Sequence, residues 1–260
     1  NPEGEVVKIL GPKGRNDVEM EAIIMERGFE KDFPAQVLKE AEYIKEKNLK
    51  APEEEIRKRR DMRSATTFTI DPADAKDFDD ALSLEYLPEG ETEVGVHIAD
   101  VSHYVREGVS LDDEARERGF SVYLVDRTIP MLPNVLSDDL CSLRPGEDKL
   151  TFSAIFTFNK KSKLKKYWLG KTVINSDKRF SYEEAQAVLD KGEGRYFKEL
   201  DALNKLAEAM RQDKFAEGAI AFEQDEIKFE LDEAGKPIKV YKKERLATHL
   251  LVEDFMLLAN

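Results

Sequence analysis

The 260-residue sequence is short of several things. It has one cysteine, Cys141, so no disulfide can form within the chain, and a reducing cytoplasmic setting is expected. No run of 18 apolar residues occurs, so no helix is expected to span a membrane. The opening "NPEGEVVKIL" has no basic start followed by a long apolar run, so it does not read as a secretory signal. No glycine-rich phosphate loop is present, which argues against a nucleotide-binding βαβ enzyme. No serine stands in an elbow-type glycine context, so no acyl-transfer triad is evident. Positive charge is also short: 41 Lys and Arg stand against 54 Asp and Glu, a formal net charge of −13. Taken alone, that balance argues against a nucleic-acid binder.

What remains is 41% apolar and 37% charged residues, the composition of a globular protein with a wet surface. The length allows one large domain with a small appendage, or two ordinary domains. Residues 5–10, "EVVKIL", read as a strand, and "GPKGRND" as a turn. "VEMEAIIMERG" reads as a short helix ending at Gly28. "DFPAQVLKEAEYIKEKN" predicts a helix with Asp32 as N-cap, Pro34 in the first turn, and Val37, Leu38, Ala41 and Ile44 on one face. "PEEEIRKRRDMR" is a charged helix or linker. The pattern divides the chain into residues 1–29, a helical connector at 30–64, and a main module at 65–260.

In the main module "TTFTI", "ALSLEYL", "EVGVHIA", "FSVYLV", "LTFSAIFTF" and "KYWLGKTVI" alternate and are rich in β-branched and aromatic residues, as strands are. "SLDDEARERG" predicts a helix with Ser110 and Asp113 as a capping box and Gly119 as its stop. "SYEEAQAVLDKG" predicts another, boxed by Ser181 and Glu184. A longer helix is expected over 195–217, a hairpin between "EIKFEL" and "IKVYKK", and a helix to the end. The fold class is α+β, with a mixed, mostly antiparallel sheet flanked by helices. The first strand lacks a partner and the last helix lacks a stop signal, so a fragment of a longer protein is expected.

The densest chemistry lies in "TIDPADAKDFDDALSL", where Asp71, Asp74, Asp77, Asp79 and Asp80 fall within ten positions between two strands. Like charges this close repel unless something positive sits among them. Mg²⁺ is held by one or two carboxylates, with waters and phosphates filling the other positions, and a pair of ions can clamp both oxygens of a phosphodiester in line. An EF-hand would need Gly at its sixth position and Glu at its twelfth, and no frame supplies both. A helix cap, an Asx-turn at Asp74 or a solvated acidic loop would be the structural alternatives.

Asp71, Asp77, Asp79 and Asp80, spaced Asp-x5-Asp-x-Asp-Asp, resemble the signature of the ribonuclease II/ribonuclease R family catalytic domain, the RNB domain. "VGVHIADVSHYV", "SVYLVDRTIPMLP", "LSDDLCSLRPGEDKLTFS", "FEQDEIKF" and "LLVEDFMLLAN" resemble further family blocks in family order. The first residues resemble the tail of a cold-shock-type OB domain and its connector. The resemblance implies a processive, hydrolytic 3′→5′ exoribonuclease that releases nucleoside 5′-monophosphates. It implies Mg²⁺, or Mn²⁺ in its place, at the four aspartates. Asp71 and Asp80 would be its firmest ligands, Asp77 a support, Asp79 the residue tied to cleavage, and Asp74 a bystander. Tyr123 would stack near the 3′-terminal base, with Phe222 as the second half of the clamp, and Glu253 would lie near the scissile region. Arg127 and Arg144 are candidates for phosphate contacts, while His97, Asp100 and His103 read as structural. The partner implied is the 3′ end of single-stranded RNA, met by a cytoplasmic monomer with no membrane contact.

The family completes its site with an arginine-bearing segment and an OB-type module that would lie beyond residue 260, so this chain alone is expected to cut RNA poorly. Residues 160–179 carry eight Lys or Arg against one Asp and read either as a solvated hairpin or as an RNA track. The rival functions are a catalytically silent RNB-type RNA-binding scaffold, a different Mg²⁺ enzyme, and a domain in which Ca²⁺ is only a staple.

Overall fold

The computed structural model describes residues 4–6, 8–48, 50–220, 226–232 and 236–260. Three helices come first: α1 (Asn16–Glu26), α2 (Ala35–Lys47) and the short α3 (Glu53–Ile56). Strands β1 (Arg60–Asp61), β2 (Thr66–Asp71), β3 (Asp80–Tyr86) and β4 (Thr92–Ala99) follow, then α4 (Val101–Tyr104) and α5 (Ser110–Arg118). A two-stranded ribbon of β5 (Val122–Tyr123) and β6 (Thr128–Ile129) precedes β7 (Asp148–Phe158), β8 (Leu164–Asn175) and β9 (Lys178–Ser181). Helices α6 (Tyr182–Lys191) and α7 (Phe197–Ala216), the separate hairpin β10 (Ile227–Leu231) and β11 (Pro237–Lys242), and α8 (Ala247–Ala259) complete the chain.

Seven strands form one sheet in the order β1-β8-β7-β4-β3-β2-β9. The outer pairs β1/β8 and β2/β9 are parallel, and the rest are antiparallel. The period-2 alternation along the strands gives the sheet two different faces. Phe68, Leu82, Val96, Ala154 and Phe156 point to one face and pack on Leu200, Leu203, Leu251 and Phe255 of α7 and α8. Ala81, Ala99, Ile155 and Ile174 point to the other and meet Val37 and Ala41 of α2, Leu111 of α5, and Leu136, Leu140 and Leu143. Past the end of α8 the first face leaves Ile98, Phe152 and Leu169 exposed.

The second face is small and polar at its centre. His97 is fully buried between Ser153 Oγ, 2.7 Å from Nδ1, and Ser83 Oγ, 2.8 Å from Nε2. Burial pushes its pKa down to about 3, so the ring is neutral and structural. It lies over Gly95, where an added Cβ would stand 2.5 Å from His97 Nε2 and 2.5 Å from Ser83 Oγ. Only glycine leaves room for that ring.

Several expectations need correction. No strand forms over the described residues of 5–10, where Val6 and Ile9 are 79% and 87% exposed and meet no neighbouring strand. Helix α2 begins after Pro34, and Asp32 does not cap it. Ser110 makes no capping box, because it is already the first helical residue and Val109 holds the N-cap position; its hydroxyl accepts a bond from Gln36 at 2.7 Å. Only Val122 and Tyr123 of "FSVYLV" are extended, and they lie outside the main sheet. The Ser181–Glu184 box, the Gly119 stop, the hairpin and the last helix form as read.

The connector is tied into the sheet by Arg59, whose side chain is fully buried. It donates to Asp100 Oδ2 at 2.6 Å, to Glu55 Oε1 at 2.8 Å and to the Thr151 carbonyl at 3.2 Å. Burial disfavours the Asp100 carboxylate, yet the Ser102 hydroxyl, Arg59 and Lys171 hold its pKa at about 2. Replacing Arg59 by Met should cost on the order of 3 kcal/mol, because it strips a buried carboxylate of its main partner. The loss should appear as a lower urea midpoint at neutral pH. It should be complete above about pH 4 and shrink as pH falls toward 2, since a depressed carboxylate stabilises only while it is ionised.

Candidate active site

Strands β2 and β3 are antiparallel neighbours, with Phe68 opposite Leu82. The chain leaves the sheet at Asp71 and re-enters it at Asp80, so all five aspartates sit at one end of one hairpin. On the other side of β2, parallel pairing sets Asp71 beside Ser181, the N-cap of α6. Asp71 is therefore a strand-end carboxylate next to the start of a helix, where the helix dipole favours negative charge.

The acids crowd one another. Burial, then the charges of Asp80 and Asp77, push Asp71 up to about 7, against the opposing pull of the nearby Thr69 hydroxyl and of Arg179. Burial raises Asp80 to about 6. Asp79 keeps an exposed surface, but partial burial of its carboxyl and then the charges of Asp77, Asp80 and Asp138 lift it to about 6. Asp71 Oδ2 is buried and has no hydrogen-bond partner among the described residues. Three acids held above the usual carboxylate range, one with an orphan oxygen, form a site short of positive charge.

Side chains not singled out at the start also converge here. Arg179 in β9 donates to the Pro72 carbonyl, and its guanidinium lies 5.5 Å from the centre of the Phe78 ring. Tyr182, stacked on His249 at 4.0 Å, is pushed up to about 12 by burial and then by the charges of Asp80 and Asp71. Ser142 bonds the backbone of the loop on both sides of Asp77. Nothing in their spacing marks these three, because β9 and the 136–144 segment reach the loop only through the sheet order.

The other predicted residues fall into two groups. Tyr123 is 66% exposed and donates to Asp77 Oδ2 at 2.9 Å. Burial of its hydroxyl, then that bond, push its pKa up to about 12. It stands at the mouth of the acidic loop, free to offer its ring face. Phe222 lies outside the described residues. Arg127 is turned away: it pairs with Asp126 at 2.6 Å, and its other charged neighbours are Asp17 and Glu21 of α1. Arg144 is likewise engaged, by Asp139 and Glu147. Glu253 is half exposed and paired with Arg245, and among the described residues no hydrogen bond or ion pair joins it to the acidic loop. The buried acid of α8 is its neighbour Asp254, paired with Arg211 at 2.8 Å. In the lysine-rich hairpin Lys163, Lys165 and Lys171 pair with Asp213, Glu91 and Asp100. That pairing favours the solvated-hairpin reading, and lysines on a free strand edge also deter edge-to-edge association.

The donor set suits a hard divalent cation, since it is all carboxylate oxygen and includes the buried unpartnered Oδ2 of Asp71. Among the described residues no group of three or more Asp, Glu, His or Cys side chains is placed to hold a metal ion by itself.

Residues 59–260 match the model of the RNB domain. The chain belongs to the RNB-domain family. Residues 1–34 of this RNB chain match a cold shock domain model. Over 263 residues the chain is 41% identical to ribonuclease R of Aquifex aeolicus, covering 99% of this chain and 37% of that protein. It is 40% identical to the DIS3-like exonuclease 2 of Xenopus tropicalis, covering 99% of this chain and 33% of that protein. The chain thus spans between a third and two fifths of the length of these relatives. Among solved structures, Mycoplasma genitalium RNase R in complex with ribose-methylated single-stranded RNA matches with a TM-score of 0.89 at 27% identity, over 96% of this chain and 39% of that one. Yeast Ssd1, a pseudonuclease, shares the fold with a TM-score of 0.71 at 21% identity, over 95% of this chain and 31% of that one.

In this RNB chain the crowding and burial of the acidic loop are expected to cost stability. Asp71→Asn should raise the thermal midpoint in EDTA, because it removes one of several crowded, partly buried charges while keeping the shape. Charge-to-neutral relief of this kind is the trade of stability against function found where a site is strained for activity. A scanning calorimetry trace with an unchanged or lower midpoint would contradict it.

Proposed function

We propose that the protein to which this chain belongs is a hydrolytic, processive 3′→5′ exoribonuclease. It acts on the 3′ end of single-stranded RNA and releases nucleoside 5′-monophosphates with the help of Mg²⁺ or Mn²⁺. The observation that carries the reading is the meeting of Asp71, Asp77, Asp79 and Asp80 at one strand end, three of them held above the usual carboxylate range. A cytoplasmic setting accords with the single cysteine, Cys141, which is buried and free. Among the described residues no helix is long and apolar enough to cross a membrane.

In this reading Asp71 and Asp80 hold the divalent ion, and Asp77 supports them. When bound, the ion supplies charge neutralisation at the phosphate and a more acidic water. Asp79, the exposed member with a raised pKa, is suited to hold or move the proton of the attacking water. Tyr123 offers a ring face that grips any terminal base without reading sequence, as a degradative enzyme requires. In taking up that role it would leave its bond to Asp77. Glu253 and Arg127 have other partners in this structure, so their proposed contacts to RNA require them to leave Arg245 and Asp126. The acidity of the chain is no obstacle, because bound cations invert the local sign.

A second reading, a silent RNB-type scaffold, draws on the fold shared with the pseudonuclease Ssd1. The four aspartates favour the enzyme. The test is full-length protein with 5′-labelled RNA, its 3′ end either free or blocked. Conversion of the free-ended strand alone to a short 5′-labelled end product, without accumulating intermediates, is expected, and no cleavage of either strand would favour the scaffold. Asp79→Asn should lower the rate by ~100-fold or more and leave RNA binding nearly intact, since losing a negative charge does not weaken attraction to phosphate. Retained cleavage would remove Asp79 from its role. The isolated 260-residue chain should cut poorly beside the full-length protein.

A further inference from the structure

We propose that Ser142 is a positioning residue that fixes the directions of Asp77 and Asp79; the inference rests on the nuclease reading above. The Ser142 side chain is fully buried, and its hydroxyl has two partners, both in the acidic loop. It donates to the Lys76 carbonyl at 2.7 Å and accepts from the Phe78 amide at 3.1 Å. Those two groups belong to the peptide units on either side of Asp77. The amide of the next residue, Leu143, donates to the Phe78 carbonyl at 2.8 Å, and the Ala99 amide donates to the Asp79 carbonyl at 2.9 Å. Four consecutive peptide units, from Lys76 to Asp80, are therefore held from outside the loop, and one hydroxyl holds two of them.

The segment that carries Ser142 is itself rigid. Leu136, Leu140, Cys141 and Leu143 are buried in the second-face core. The Cys141 amide bonds the Leu136 carbonyl at 2.9 Å, and the buried Lys149 ammonium donates to the Asp139 carbonyl at 2.7 Å. A loop of mutually repelling carboxylates would otherwise spread. A hydroxyl spanning both peptides of Asp77 opposes that spreading without adding charge, so it orients the acids while leaving their demand for a cation intact.

The experiment compares full-length wild type with Ser142→Ala, and with Ser142→Cys as a near-isosteric second variant in case alanine does not fold. Mn²⁺ binding is followed by electron paramagnetic resonance, and kcat and KM are measured on single-stranded RNA. Mn²⁺ affinity and kcat should each fall ~10- to 100-fold, the usual effect of losing a partner that orients metal ligands, while KM for RNA stays near wild type. Mn²⁺ affinity within about twofold of wild type in a folded variant overturns the proposal, as does a loss confined to KM. Wild type that neither binds Mn²⁺ nor cuts RNA overturns the nuclease reading and the clamp with it. Wild type that does both, with variants that match it, overturns the clamp alone.

Discussion

Repulsion among the carboxylates of one hairpin end is the constraint around which the rest is arranged. Two like charges 4 Å apart near a protein surface repel by about 4 kcal/mol, a large part of what a domain has to spare. The chain escapes only in part by exposing these acids, since Asp74 and Asp79 keep an exposed surface and the others do not. Asp71 is buried, and Asp79 and Asp80 are held where ionisation is hard. A fold that keeps such a loop together needs rigid neighbours on every side. The strands β2 and β3 fix its two ends, β9 brings Arg179 against its start, and the 136–144 segment grips its middle.

The two faces of the sheet divide this work. The first is plain apolar packing against α7 and α8, and it supplies most of the burial. The second is built of small and hydroxyl side chains around His97 and Gly95, where His97, Ser83, Ser153, Thr151 and Thr172 bond one another. Buried networks of that kind are costly when half satisfied and specific when complete. Here the network sets how the elements over the second face, including the segment with Ser142, lie against the strands. Arg59, the first residue of the matched RNB region, extends the same logic to the connector.

Much of this was legible in the residues. Alternation marked the strands, the Ser181–Glu184 box marked the start of α6, and the aspartate spacing marked the site. The misses have common causes. A cap requires that the hydroxyl stand just before the helix, and Ser110 is already its first residue. A strand requires a neighbour, and "EVVKIL" meets none. Adjacent acids on a helix lie about 100° apart. The apolar pattern of α8 therefore could not decide that Asp254 turns inward to Arg211 while Glu253 turns outward to Arg245. Arg179 and Ser142 were invisible for a different reason: their importance comes from strand order, not from their neighbours in sequence.

That same dependence on strand order bears on when the acidic loop can take shape as the chain folds. Its contacts span 64 and 66 residues to Ser142 and 107 residues between Arg179 and Pro72. Such closures are slow and are rewarded only after the intervening strands have paired. The hairpin of β2 and β3 can form early from local contacts, with its charged tip still splayed. The loop is therefore expected to take its final shape late, after β9 and the 136–144 segment have docked and the core that must hold it is in place.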